Sequence, residues 1–428
     1  MNKKILSGSI CLLGIILASP LTFASDTTPT SQKHKAGYDN EEGFAGPGAT
    51  VYQLEHDDED KISVLGFPAI DNALKPWFDL KKGLDENYGF QLGVAYTTTY
   101  QTTNDEIAGA ESEAWSGILR VAGKWELVNR GSANKGSIVF SADNRANYTD
   151  ASPGNFSGNI GYIGQTGTLF SDVDTVLVDL FWQQYIGEQT GFIAGRFDPS
   201  DFVHVLGHKS PWDNFQNLNT LLDSSVAYPD AGIGAGFGHW FDKSETGQFY
   251  LLAGFNDANG KVVEEQAFDN GAEFFKFAEF GWSPSKDERY TTNLHLSVWQ
   301  VDERIDEGLD NAAGYAIGGN YTFEQLTLFG QAGFSSANEA NDPQIYEASY
   351  TVGGTYNIKG RSDQLGFALN YGELASSDNE QTTGELYYRI QATENLAFTP
   401  SIQCLQNPAL NTEDDVVTIY GLRARITL

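Results

Sequence analysis

Cysteine is almost absent from this 428-residue chain, which holds only Cys11 and Cys404. Long apolar runs are equally scarce. One exists, Ile5 to Leu17, preceded by Lys3 and Lys4 and followed by Pro20 and Thr22-Phe23-Ala24. Small residues stand there at the positions a signal peptidase reads, so residues 1–24 are expected to be a secretory signal cut after Ala24. An uncleaved anchor helix needs about 20 apolar residues, more than this run offers. Cys11 falls mid-core behind Ile10, which excludes a lipoprotein signal. Once the signal is removed only Cys404 remains, and no intramolecular disulfide can form. Beyond Ala24 no apolar stretch approaches the roughly 18 residues of a helical membrane span. Basic charge is scarce as well. The formal net charge is -31, and loss of Lys3 and Lys4 leaves 24 basic against 57 acidic residues. That balance argues against nucleic acid as a partner and against adsorption to anionic lipid as the main function.

Glycine and aromatics are abundant: Gly 46, Tyr 20 and Phe 27. This composition suits antiparallel strands with interfacial aromatic girdles. Residues 25–70 are polar and acidic, with Asp57, Asp58, Glu59 and Asp60 in one run. They are expected to form a loosely attached periplasmic extension. His56-Asp57-Asp58 could ligate a metal, but nothing fixes its geometry, and a solvated acidic run is the favoured reading. Residues 72–87 are expected to form a short amphipathic helix with Pro76 in its first turn.

From residue 71 to 428 the pattern is that of a barrel. Segments of roughly ten residues alternate apolar and polar between turn residues. The expected strands are 88–99, 115–127, 137–149, 175–186, 191–198, 232–241, 247–257, 273–283, 290–301, 313–323, 325–336, 347–358, 363–374, 382–392, 394–404 and 416–428, about sixteen. In 363–374, Leu365, Phe367, Leu369 and Tyr371 share one face and Gln364, Gly366, Ala368 and Asn370 the other. Leu294, Leu296 and Val298 likewise oppose Asn293, His295 and Ser297, and Val176, Val178, Leu180 and Trp182 are expected to oppose Asp179, Gln183 and Tyr185. A sandwich shares this period, but one face here is persistently small and polar. In a membrane the apolar face meets lipid, the small polar face lines water, and closure satisfies the sheet edges. The fold class expected is therefore all-β, a transmembrane antiparallel β-barrel. The last strand ends outward on Leu428, in the manner of an outer-membrane assembly signal, though the usual last residue is Phe. Leu396, Phe398, Ile402 and Cys404 share a parity that should face lipid.

Three blocks carry a family resemblance: Gly195-Arg196-Phe197-Asp198-Pro199-Ser200-Asp201-Phe202, Pro211-Trp212-Asp213-Asn214-Phe215-Gln216-Asn217, and Tyr228-Pro229-Asp230-Ala231-Gly232-Ile233-Gly234. With Leu74-Lys75-Pro76-Trp77, they resemble the carbohydrate-selective porins of the OprB type. The resemblance implies a channel of about sixteen strands in the Gram-negative outer membrane, monomeric or trimeric, passing small neutral sugars. It further implies that 200–228 form a helical loop folded into the pore. The acidic extension lies outside the resemblance.

Alternation directs Arg120, Lys124, Asp143, Arg145, Asp179, Arg196, Asp198, Arg389, Arg423 and Arg425 into the lumen. Such residues set ion preference and hydrogen-bond sugar hydroxyls, and Trp212 or Trp299 could stack on sugar rings. The competing reading is that these charges only pair with one another and solvate a wet lumen. His295 and Ser297 resemble the catalytic pair of an outer-membrane phospholipase, in which an Asn orients the His and Ser attacks. The lumen position and the lack of an evident Asn partner oppose that reading. Gly232-Ile233-Gly234-Ala235-Gly236 reads as strand, not as a phosphate loop. No catalysis, cofactor or metal is expected; lipid and lipopolysaccharide are the expected surroundings. The alternatives are a general or cation-preferring porin, or a non-transport barrel used for adhesion or lipid handling.

Overall fold

The structure is a computed structural model, and it describes residues 35–38, 43–263, 271–336 and 341–428. The expected signal peptide, its cleavage site and the start of the extension lie outside these residues. Sixteen antiparallel strands close into one barrel in sequence order, and β1 (Phe90–Thr102) pairs with β16 (Val416–Thr427). The intervening strands are β2 (Glu113–Val128), β3 (Gly136–Asn147), β4 (Asp174–Ile186), β5 (Thr190–Phe197), β6 (Gly232–Trp240), β7 (Gln248–Asp257), β8 (Phe274–Ser283) and β9 (Thr292–Val301). They continue with β10 (Ala312–Phe323), β11 (Leu326–Ser335), β12 (Tyr346–Asn357), β13 (Gln364–Leu374), β14 (Glu380–Gln391) and β15 (Leu396–Gln406). Every strand expected from the alternation is present, with ends displaced by a few residues.

The alternation works as lipid solvation demands. Leu294, Leu296, Val298, Val352, Leu369 and Leu422 stand exposed on the outer wall, while Asn293, His295, Ser297 and Asn370 are buried inside. Cys404 lies on the outer parity, between the buried Gln403 and Leu405. Aromatic side chains cluster outward near the strand ends, as Phe90, Trp125 and Phe140 at one and Tyr100, Trp115 and Tyr148 at the other. This is the girdle pattern of a membrane barrel.

One strand departs from the expected parity. The β3–β4 register shifts between Ser141, opposite Asp179, and Ala142, opposite Leu177, so Val178 is the extra residue of a bulge. A bulge re-aims side chains. Val176 and Val178 therefore turn inward and pack with Ala231 and Val262, while Leu180 keeps the outer face.

The largest correction concerns the N-terminal segment. Instead of a loose extension, residues 43–58 run through the lumen. Phe44 stacks on Trp240, the Gly46 amide donates to Asp201 O, and α1 (Thr50–Asp57) lies against the inner faces of β1, β2 and β3. Residues 62–65 then cross beneath the barrel, where the Val64 and Leu65 amides donate to Gln391 O and Ala392 O at the β14–β15 turn. The helix leading into β1, α2, spans Pro68–Tyr88, longer than expected. Pro68 opens it, while Pro76 sits inside it rather than in its first turn.

Candidate functional site

The loop between β5 and β6 leaves the wall at Gly195, where φ is +140°. An added Cβ there would lie 2.5 Å from Leu180 O and 2.7 Å from Phe181 Cα, so glycine is required. The loop folds inward as the resemblance implies, but it is mostly irregular, with one 3-10 turn at Pro199–Asp201 and a single helical turn, α3 (Leu218–Leu221). Its polar groups are answered by the opposite wall. The Gln216 and Asn217 amides and Thr220 Oγ1 all donate to the Glu385 carboxylate, and Arg423 donates to Pro211 O and Asn214 O. Buried backbone groups need such partners, so the loop is held as firmly as the wall. A second loop, between β3 and β4, also folds inward, which the strand pattern did not reveal. Gln101 and Gln403 donate to its Thr166 O, and Phe156, Ile160 and Phe170 are buried. The only sequence signal for it was a turn-rich gap that still carries large apolar residues.

Between these loops, with Gly48 of the N-terminal segment at its edge, lies a cavity of about 370 Å³. Of the residues expected to line the lumen, Arg120, Arg145, Asp198 and Trp212 border it, together with Asp201, Lys209, Tyr228 and Asp230. Arg120 forms a two-pronged contact with Asp143, at 2.7 and 2.9 Å, and Arg145 donates to the same carboxylate at 2.9 Å. The Arg120 guanidinium also covers the Trp212 ring at 4.2 Å. A bidentate carboxylate and an aromatic face fix this cation rigidly. On the opposite side, Asp198 accepts from the Ser200 amide at 2.8 Å. Burial, and after it the charge of Asp230, push the Asp198 carboxyl up to about 7. Burial and the neighbouring Asp198 also raise Asp201. Two fixed cations thus face a group of partly neutralised carboxylates across a small wet space.

The remaining expected residues hold structure together. Arg196 is buried and donates to the carbonyls of Leu177 and Lys261, both at 2.8 Å, and is not among the cavity lining. Asp179 accepts from Thr50 and Ser141, so it anchors α1. Arg389 pairs with Asp213 at 3.4 Å, and Arg425 reaches Gln53 and Asp57 at 2.8 and 2.6 Å. Trp299 faces inward but is packed with Phe275 and Val301 and presents no free ring face.

His295 does have an Asn partner, contrary to the sequence reading: Asn293 Oδ1 stands 2.5 Å from His295 Nδ1. Ser297, however, donates to Glu279 at 2.8 Å, and His295 turns its other nitrogen to His204 at 3.0 Å. The serine proton therefore has no path to His295, and the lipase arrangement is not formed.

Residues 321–428 match the model of the carbohydrate-selective porin, OprB family. The match falls on the C-terminal strands rather than on the central blocks that first carried the resemblance. Porin AaxA of Chlamydia caviae is 22% identical over 314 residues, covering 70% of this chain and 67% of that protein. Pseudomonas putida OprB, in its high-pH structure, superposes with a TM-score of 0.66 at 12% identity, covering 82% of this chain and 97% of that one. OmpT of Vibrio cholerae, in vitro folded in a trimer form, gives 0.50 at 12% identity over 79% of this chain and 99% of that one. At such identities the superpositions speak for the fold. Fold, partial family match and relatives together point to a porin barrel, a channel rather than an enzyme, whose C-terminal strands resemble the carbohydrate-selective family.

Proposed function

We propose that this OprB-type barrel is a non-catalytic porin through which small neutral sugars diffuse passively. The observation that carries the reading is the cavity bordered by Arg120 and Arg145, both held by Asp143, and by the carboxyl groups of Asp198, Asp201 and Asp230. A sugar presents hydroxyl oxygens to fixed guanidinium groups. Asp198, Asp201 and Asp230 across the cavity accept hydroxyl protons. The site therefore offers donors and acceptors without one dominant charge, which suits an uncharged polyol. A cation-preferring porin is the second reading, and the carboxylates at Asp198, Asp201, Asp223 and Asp230 are what favour it. Export through the cleaved signal, contact with lipopolysaccharide, and assembly as a monomer or, like the trimer form of OmpT, as a trimer belong to the same proposal.

The test is single-channel current in a planar bilayer with increasing glucose and short oligosaccharides. Sugar should block the current beyond its viscosity effect, and Arg145→Gln should weaken that block about tenfold, the loss of one charge-assisted hydrogen bond of about 1.5 kcal/mol. Absence of block in the wild type removes the sugar reading and leaves the cation-preferring one.

A further inference from the structure

The cluster around His295 has a geometry that sugar passage does not use. His204, from the inward loop, meets Glu279 on β8 and His295 on β9, all three buried, with one ligand atom of each lying within 4.8 Å of the others. His204 Nδ1 and His295 Nε2 are 3.0 Å apart. Two nitrogens bound at about 2.1 Å to one tetrahedral ion stand roughly 3.3 Å apart, so this spacing is nearly that of a ligand pair. Ser297 Oγ lies 3.3 Å from His204 Nδ1 and 2.8 Å from Glu279 Oε2, beside a fourth position.

The proton positions point the same way. Asn293 Nδ2 donates to Tyr250 Oη, so its carbonyl oxygen faces His295 Nδ1 and requires a proton there. His295 Nε2 is then a bare acceptor aimed at His204. If neutral His204 carries its proton on Nδ1, its Nε2 faces Asp223 Oδ2 at 3.7 Å, two buried acceptors with no hydrogen-bond partner among the described residues. If it carries the proton on Nε2, that nitrogen is turned to Asp223, and two imidazole lone pairs oppose each other. Neither neutral arrangement is satisfied without one more cation. The second arrangement is close to that of a metal site: His295 gives its other N–H to Asn293, and the other nitrogen of His204 is turned toward the Asp223 carboxylate at 3.7 Å, an ionic rather than a hydrogen-bonded spacing.

We propose that His204, His295 and Glu279 bind a divalent transition-metal ion of the zinc class. Two imidazoles and one carboxylate suit such an ion; calcium and magnesium want six or more oxygens. Glu279 keeps its other oxygen for Tyr250 and Arg289, which orient it. Gly318 leaves the room: an added Cβ would lie 2.9 Å from both His204 Cε1 and His295 Nε2. Asp223 also borders the large cavity, so the site sits one side chain behind that wall. The ion ties the inward loop to the barrel wall.

The experiment uses the full chain in detergent, stripped with a chelator and titrated with Co2+, then with Zn2+ as competitor. One equivalent of Co2+ should bind with visible ligand-field absorption and be displaced by Zn2+. His204→Gln and His295→Gln should each weaken binding by tenfold or more, and Asp223→Asn by about tenfold. His239→Gln, at a residue outside the cluster, should change nothing. Heat-modifiable gel migration reports folding; if a histidine variant fails to fold, Asp223→Asn carries the assignment. A wild type that binds no Co2+, as a cluster satisfied by a proton alone would behave, overturns the proposal. So does binding that the His204, His295 and Asp223 substitutions leave unchanged.

Discussion

At the scale of single residues, inward direction and functional contact are different properties. Period-two alternation tells which side of the wall a side chain takes, and for Arg120, Asp143, Arg145, Arg423 and Arg425 it gave the right side. It says nothing of what has already claimed the side chain there. Arg196 illustrates the difference. It lies beside the most family-like block, yet its guanidinium is spent on the carbonyls of Leu177 and Lys261. Arg196→Gln should therefore act on stability. Each buried carbonyl left without a donor costs about 1–3 kcal/mol, so the urea midpoint of the detergent-folded barrel should fall while sugar block in the remaining folded channels stays as in the wild type. A normal midpoint with lost block would return Arg196 to the sugar site. Trp212 shows the same difference: its ring borders the lumen but is buried against Ile118 and Phe170 and covered by Arg120.

At the scale of elements, the strands were legible because their signal is local, two residues long and repeated. The bulge at Val178 was not, since one extra residue flips parity without altering composition. The N-terminal segment was misread for a related reason. Its acidic text resembles a solvated tail, and the partners that bury it lie far along the chain: Thr50 with Asp179, Asp57 with Arg425, Phe44 with Trp240. Asp57 and Asp58 serve as latches, Asp57 to Arg425 and Asp58 to the buried Lys81 at 2.7 Å. Because residues 43–58 occupy the lumen, with Gly48 at the edge of the cavity, their displacement should widen the path. Deleting residues 43–58 exposes no new strand edge, so the barrel should still fold. Single-channel conductance should rise severalfold, and Asp57→Asn should give a smaller rise or more frequent opening. Unchanged conductance in the deletion would mean that the conducting path bypasses α1.

At the scale of the whole molecule, the charge of -31 is a poor guide to what the pore selects. Fields from exposed loops decay within about 8 Å at physiological salt, so selectivity is set by the charges that border the cavity. There Arg120, Arg145 and Lys209 face Asp198, Asp201, Asp223 and Asp230. The guanidinium groups stay charged at every accessible pH, whereas burial lowers Lys209 to about 8 and burial, with Asp230, raises the Asp198 carboxyl to about 7. A carboxyl with a raised value is neutral below it and charged above it. As pH falls from 8 to 6, Asp198 gains a proton and the cavity loses negative charge. Cation preference, read from the reversal potential in a KCl gradient, should therefore fall over that interval, and neutral sugars should meet less competition from bound cations. Asp198→Asn should remove the step centred near pH 7, because the amide mimics the protonated acid, and leave only the change near pH 8 that Lys209 contributes. A step near pH 7 that persists in that variant would assign the titration to a group other than Asp198, and a wild type without any step between pH 8 and 6 would mean that the carboxylates bordering the cavity do not govern its ion preference.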